Sequence, residues 1–404
     1  MMQAITLPRI SLIVFIIAVI VISIHITALL FPALIVTSFE SINQDEKFVL
    51  GEHAMAFIFT NVTIFALAVS AYLKIIPTKI VSAAKFAFSF EISKRIAIFC
   101  VVALIAGYTV FSVNELTESE DKQWMDYANI KFWVENFSFE SVDPNNSQSV
   151  RFVKNFLLNS SLALFQNVKI VPFLASIALL LLTYLFTMQL TQKRLSGLIA
   201  TIVLLQSPTF LIYDTTATYD NFWILFYLFS LYIVFKKWYI SPIGFLLSLF
   251  SKAVTVLFLP ATIYQIIRVG LPRRQMLWSL VFYVSIMIIL GVFLIAVEPS
   301  TFSFERFMIA FTTLSYQLRF DNLLLWFLLP ITVVLYMVSR RGSNFADVAL
   351  VMVVASLLMS PLLGLLSNID IHPYRYMPLL IFFAVGVGFI FSRDHKTGWN
   401  ILKS

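Results

Sequence analysis

The chain has 404 residues, 60% of them hydrophobic and only 12% charged, with a formal net charge of +7 and a mean hydropathy of +0.91. Forty-one phenylalanines against eleven glycines leave too little polar surface to wrap a soluble core, which excludes a water-soluble globular protein. The single cysteine, Cys100, sits inside an apolar run and excludes an intramolecular disulfide, and the positive excess falls in connections facing lipid headgroups rather than on a nucleic-acid surface.

A bilayer core of about 30 Å takes roughly 20 apolar residues per helix. The first predicted span, 10–36, follows Arg9 and is too long for a cleaved signal-peptide core, so it reads as an uncleaved anchor. Spans follow at 54–76 and 92–113. The segment 114–165 is the one substantial polar stretch. Its Thr117/Ser119 start, early acids and apolar Trp124, Tyr127, Ala128, Ile130 and Phe132 predict an amphipathic helix along the membrane surface. A "DPNN" turn separates it from a second amphipathic piece at 151–159.

Spans resume at 166–190, 196–213 and 220–236, then at 276–297, 323–339, 345–366 and 376–392. Between them, 239–268 is apolar but interrupted by Pro242, Lys252 and Pro260. Lys74, Lys79, Lys85, Lys94, Arg95, Lys193, Arg194, Lys236, Lys237, Arg268, Arg273, Arg274, Arg340 and Arg341 mark connections that the positive-inside rule places in the cytoplasm. Lys237 and Arg268 then require 239–268 to enter and return as two half-length helices meeting at Ser251–Lys252. The expectation is an all-α polytopic membrane protein of about twelve transmembrane segments, including the broken pair at 239–268, with both termini cytoplasmic.

That topology opens six connections onto one outer face. They carry Glu118, Glu120 and Asp121; Asp214 and Asp220; Lys252; Glu305, Arg306 and Arg319; and Asp370, His372 and Arg375. Ionisable residues at a membrane edge mark functional sites by default, because their burial is costly. Each also has a plainer explanation: Asp121 as one charge on a solvated helix face, Asp220 as an N-cap before "NFWILFYLF", Lys252 as a snorkelling cation, Arg306 and Arg319 as interfacial anchors, and His372 as a turn residue before Pro373. Asp214 stands between capping and acceptor binding. Together they make a carboxylate able to take a proton from a hydroxyl beside cations able to hold a phosphate.

Four stretches resemble the integral-membrane GT-C glycosyltransferases, in particular protein O-mannosyltransferases and the aminoarabinose transferase of lipid A. These are "ESEDKQWMDYANIKFW", the 180–235 stretch with its short basic turn and acidic outer hairpin, "WYISPIGFLLSLFSKAVTVLFLP" and "HPYRYMPLL". The likeness covers roughly 92–392 as pattern, leaving 1–91 as an N-terminal transmembrane hairpin and 393–404 as a cytoplasmic tail. The resemblance implies a multi-pass plasma-membrane enzyme. It would move a sugar from a polyprenyl-phosphate (dolichyl-phosphate-like) donor to a protein or lipid acceptor at the outer face, by inverting displacement.

Carried over, the general base is Asp121 or Glu120, with Asp121 preferred because it directly precedes the next helix. Lys252 and Arg375 would contact the lipid phosphate, with His372, Tyr376, Arg306 and Arg319 in supporting places. Asp45 and Glu46 in the 37–53 loop are the alternative acidic pair. Some relatives use a divalent cation, Mg or Mn, whereas the sequence has no His/Asp cluster at metal spacing. A second class stays open: a non-catalytic membrane subunit docking a partner through Trp124, Phe132, Trp133, Phe137 and Phe139. A transporter is disfavoured, since no repeat is visible and the ionisable residues gather at one face.

Overall fold

A computed structural model of the protein describes residues 3–33, 49–138, 151–295, 307, 310–311, 321–340, 345–366 and 373–392. The described residues form helices and no strand. Lipid offers no hydrogen bonds to the backbone, and a helix satisfies its own, so a chain this apolar folds into helices throughout. In chain order these are α1 Gln3–Leu30, α2 Ala54–Tyr72, α3 Thr78–Ser89, α4 Lys94–Ser112, α5 Tyr127–Glu135, α6 Phe152–Phe165, α7 Ile170–Thr191 and α8 Arg194–Leu205. They continue as α9 Pro208–Tyr213, α10 Phe222–Ile233, α11 Ser241–Ser251, α12 Leu259–Val269, α13 Arg273–Ile295, α14 Asn322–Ser339, α15 Ala346–Leu366 and α16 Met377–Ile390.

Six helices among the described residues are long and apolar enough to cross a membrane: Ser11–Leu30, Ala54–Tyr72, Lys94–Thr117, Ile170–Thr191, Asn322–Ser339 and Ala346–Gly364. The protein is therefore an α-helical membrane protein. Shorter apolar helices occupy other predicted spans, and one of those spans differs in a definite way. The stretch 196–213 is two helices, α8 and α9, parted at Gln206–Ser207, because Pro208 cannot supply the backbone N–H a continuous helix needs there. The segment 239–268 is broken as its sequence requires: α11 stops at Ser251, Lys252 is extended (φ −159°, ψ 116°), a 3-10 turn runs Ala253–Phe258, and α12 follows. Gly270, at φ +74°, closes α12 in the left-handed conformation that glycine adopts without strain.

The chain makes two compact units. One comprises Met1–Ala97, Thr187–Ser207 and Ser300–Ser404. In it α16 is the central helix, packed against α8, α14 and α15, while α1 packs against α14 and α15 and α2 against α14. Nearly every α16 side chain is buried. Its glycines permit the close approach: a Cβ on Gly388 would lie 2.6 Å from Thr187 Cγ2 and 2.9 Å from the Ser196 carbonyl oxygen. Polar pairs cross-link the apolar packing. Tyr376 donates its hydroxyl to Ser360 Oγ at 2.7 Å, Ser207 donates to Asp321 Oδ1 at 2.5 Å, and Phe15 stacks on Tyr336 with centroids 4.0 Å apart.

The other unit comprises Ile98–Phe186 and Pro208–Pro299. Its tightest pair is α10 and α11, with α6 and α13 also against α11 and α12 against α13. The segment after α4 folds back onto this unit. Ile130 and Val134 of α5 join Leu158 of α6, Ala175 of α7, Ala217 and Phe222 in one apolar cluster. The amphipathic face thus covers protein, whereas Phe132 points outward, 60% exposed. The predicted start of this helix is also displaced: Ser119 accepts the Asp121 N–H and opens only a 3-10 turn, Glu120–Lys122, and α5 begins at Tyr127.

Candidate functional site

The acids of the segment after α4 and the 214–220 hairpin come together in the second unit, around a buried carboxylate. Glu120 is 2% exposed, and its oxygens accept the Ala217 N–H at 2.7 Å, the Thr218 N–H at 3.1 Å and the Thr218 hydroxyl at 2.7 Å. A carboxylate accepting three donors is a lock: it satisfies hairpin amides that would otherwise be buried bare. Asp121, its neighbour, is exposed and accepts only the Ser119 hydroxyl at 2.9 Å, so it keeps acceptor capacity for another group.

The hairpin is fastened at both ends. Asp220 Oδ1 accepts the Phe222 N–H at 3.1 Å from one residue ahead of the N-cap, Asn221, while Oδ2 pairs with Lys154 Nζ at 2.8 Å. Both side chains of the pair are nearly inaccessible, at 6% and 7%, and Lys154 also donates to the Thr218 carbonyl at 2.7 Å. At the other end Asp214, 1% exposed, accepts the Ser112 hydroxyl at 2.9 Å through Oδ2, and Ser176 donates to its carbonyl at 2.7 Å. Asn221 donates to Ser176 Oγ and to the Tyr213 carbonyl, closing a buried polar network.

The Tyr108 hydroxyl lies next to the Asp214 carboxylate, yet neither it nor Asp214 Oδ1 completes a well-formed hydrogen bond. Burial pushes the Asp214 carboxyl up to about 7, Tyr108, Ser112 and the Thr215 backbone hold it back, and the charge of Glu115 adds to the rise. Thr215 in turn donates to Glu115 Oε2 at 2.9 Å. Trp124, Tyr213 and Tyr219 form an aromatic triad over this hairpin, with centroids 4.9–5.7 Å apart, and Tyr219 donates to Asp126 at 3.2 Å. Trp124 is therefore packed into the protein rather than held out as a docking side chain, with its Nε1 buried and without a partner.

Lys252 lies in the same unit, at the extended break between α11 and the 3-10 turn. Its ammonium stands 5.2 Å from the centroid of the Trp223 ring, a cation–π distance. Arg375 and Tyr376 belong to the first unit, in the 3-10 turn Pro373–Tyr376 ahead of α16. Arg375 is 6% exposed, its guanidinium is 5.8 Å from the Tyr374 ring, and its Nε has no partner among the described residues. Tyr376 is fully buried, its hydroxyl donated to Ser360. Arg306, Arg319, Asp370 and His372, like Asp45 and Glu46, lie outside the described residues.

Four contributors are absent from the sequence expectations. Lys154 had a readable signal: it shares a face with Leu158 and Ser161 (i, i+4, i+7), and a lysine on a helix's buried face needs an acid. Lys169 donates to the Glu115 and Glu118 carbonyls at 2.7 and 3.1 Å and ties down the chain after α4. Ser112 and Ser176, single hydroxyls inside apolar helices, carry no sequence signal of pairing. Among the described residues no three His, Cys, Asp or Glu side chains gather where they could hold a metal ion. No family model, curated protein or solved structure matches this chain.

Proposed function

We propose that the chain is a GT-C-type membrane glycosyltransferase that takes a sugar from a polyprenyl-phosphate donor at the outer face. The observation that carries this reading is Lys252, a cation at an interruption of two half-length apolar helices, on non-helical backbone beside the Trp223 ring. A lysine can bind phosphate as a point charge, and the anion that the resemblance implies at a membrane edge is a lipid phosphate.

In this scheme Asp121, the outer-loop acid with unoccupied acceptor capacity, takes the proton from the acceptor hydroxyl. That oxygen attacks the anomeric carbon, the carbon–phosphate-oxygen bond breaks, and the sugar inverts. Polyprenyl phosphate leaves with the bonding electrons, and Lys252 stabilises the charge that develops on it. Glu120, saturated by hairpin donors, positions the loop instead of moving a proton. A phosphate-binding role for Arg375 rests on the resemblance alone. The count of about twelve spans belongs to this same proposal.

The test is release of polyprenyl phosphate by purified protein given a panel of polyprenyl-phosphate hexoses and acceptor extract. Asp121→Asn and Lys252→Ala should each lower release by two orders of magnitude or more, roughly the range expected for loss of a general base. Full release by Asp121→Asn would remove that residue from the chemistry. A second reading, a non-catalytic docking subunit, is favoured by the outward Phe132 and the fully exposed Met125 on the outer loop. It predicts no release with any donor, and loss of a co-purifying partner in Phe132→Ala.

A further inference from the structure

Between α2 and α4 the chain does not simply turn. It forms α3, a twelve-residue helix of which no residue is buried. Both flanking helices qualify as membrane spans, so α3 is held at the membrane surface by its ends. Its sequence has two faces. Ile80, Ala83, Ala84 and Ala87 recur at i, i+3, i+4 and i+7, and Thr78, Ser82, Lys85 and Ser89 at i, i+4, i+7 and i+11 on the opposite side. One edge is attached to the protein through Phe88, whose ring meets Phe391 at 5.2 Å and whose carbonyl accepts Lys193 Nζ at 2.7 Å. Ile80, Phe86 and Phe90 stay 59%, 70% and 49% exposed.

The charge around this face names its occupant. From 73 to 95 the chain carries Lys74, Lys79, Lys85, Lys94 and Arg95, all exposed, against a single acid, Glu91. Glu91 is engaged by the Ile92 and Arg194 N–H groups at 3.2 and 3.3 Å, with the Arg194 guanidinium at 4.0 Å. A second copy of the chain would bring the same positive charge to the contact. We propose that α3 lies in the plane of the membrane and binds the headgroups of anionic phospholipids. Its apolar face sinks between acyl chains, and its lysines reach the phosphates along their aliphatic stems. This inference is independent of the transferase reading.

The experiment uses the full chain in nanodiscs, with Cys100→Ser and a fluorophore on Ala83→Cys. Nitroxide-labelled phosphatidylglycerol should quench the fluorophore roughly three- to five-fold more than nitroxide-labelled phosphatidylcholine at equal mole fraction. The preference should vanish at about 1 M salt, where screening shortens to a few ångströms, and in Lys79→Gln/Lys85→Gln. The salt series needs no folded variant. Equal quenching by both lipids, indifferent to salt, overturns the headgroup site. Quenching by neither means that protein covers this face, and overturns it too.

Discussion

Lys154 and Asp220 are the pair on which the hairpin depends most. Both are buried, so removing one leaves the other charged in a poor solvent, a loss of about 3–5 kcal/mol. Lys154→Met should lower the midpoint of thermal unfolding in detergent far more than Lys154→Met combined with Asp220→Asn, which keeps an acceptor for the Phe222 N–H and removes the stranded charge. Equal losses would show that the pair contributes only its volume. Asp214 sets a pH dependence of opposite sign to that of an ordinary paired carboxylate. Its carboxyl rises from 3.8 to about 7 on folding, so the folded state holds a proton that the unfolded chain releases. The stability it contributes is complete below pH 4, declines as pH rises from 4 to 7, and is gone above 7, a change on the order of 4 kcal/mol. Asp214→Asn should flatten that part of the stability profile; an unchanged profile would mean the carboxyl titrates normally. Asp220 was expected as the N-cap of α10 from its place before an apolar run; the cap position falls one residue later, on Asn221, and Asp220 instead accepts the Phe222 N–H. The burial of Asp214 was not legible, because it arises from hydroxyls on α4 and α7, far away in sequence.

At the scale of elements, punctuation was easier to read than placement. Pro242, Lys252 and Pro260 mark the interruption between α11 and α12 because each works locally, by a missing N–H or a charge. The start of α5 was misplaced because Glu120, a good first-turn acid, is drawn off to bind amides a hundred residues away. That contact defines the segment between α4 and α5. With Glu120 in place, the 3-10 turns, α5 and the hairpin are one body; without it, Ala217 and Thr218 lose their acceptors. Glu120→Ala should cost on the order of 3 kcal/mol and open 114–126 to protease, while Glu120→Gln keeps one acceptor oxygen and falls between. Protection as strong in Glu120→Ala as in the parent would show that the apolar cluster of Ile130, Val134 and Leu158 suffices.

For the whole molecule, hydropathy locates the helices and says nothing of their partners. Among the six helices long enough to cross a membrane, the predicted spans overlay α2, α4, α7, α14 and α15 to within a few residues, since lipid imposes a common length on a crossing. The two units, by contrast, are each assembled from separated segments, with the chain passing between them after Ala97, Phe186, Ser207 and Pro299. Side-chain fit such as that at Gly388 decides this, and no periodicity encodes it. Charge does encode the sidedness of the membrane, and there the prediction is direct. On a Cys100→Ser background, Met125→Cys, at a fully exposed position, should react with an impermeant maleimide in intact cells. Ser82→Cys, on the polar face of α3, should react only after permeabilisation. The pair is decisive because each corrects for the other: labelling of Ser82→Cys alone from outside inverts the topology, and would move the acidic loop away from any outer-face donor. Labelling of both from one side would instead require an even number of crossings between residues 82 and 125, where α4 is the single described span, and would deny α4 its passage through the membrane.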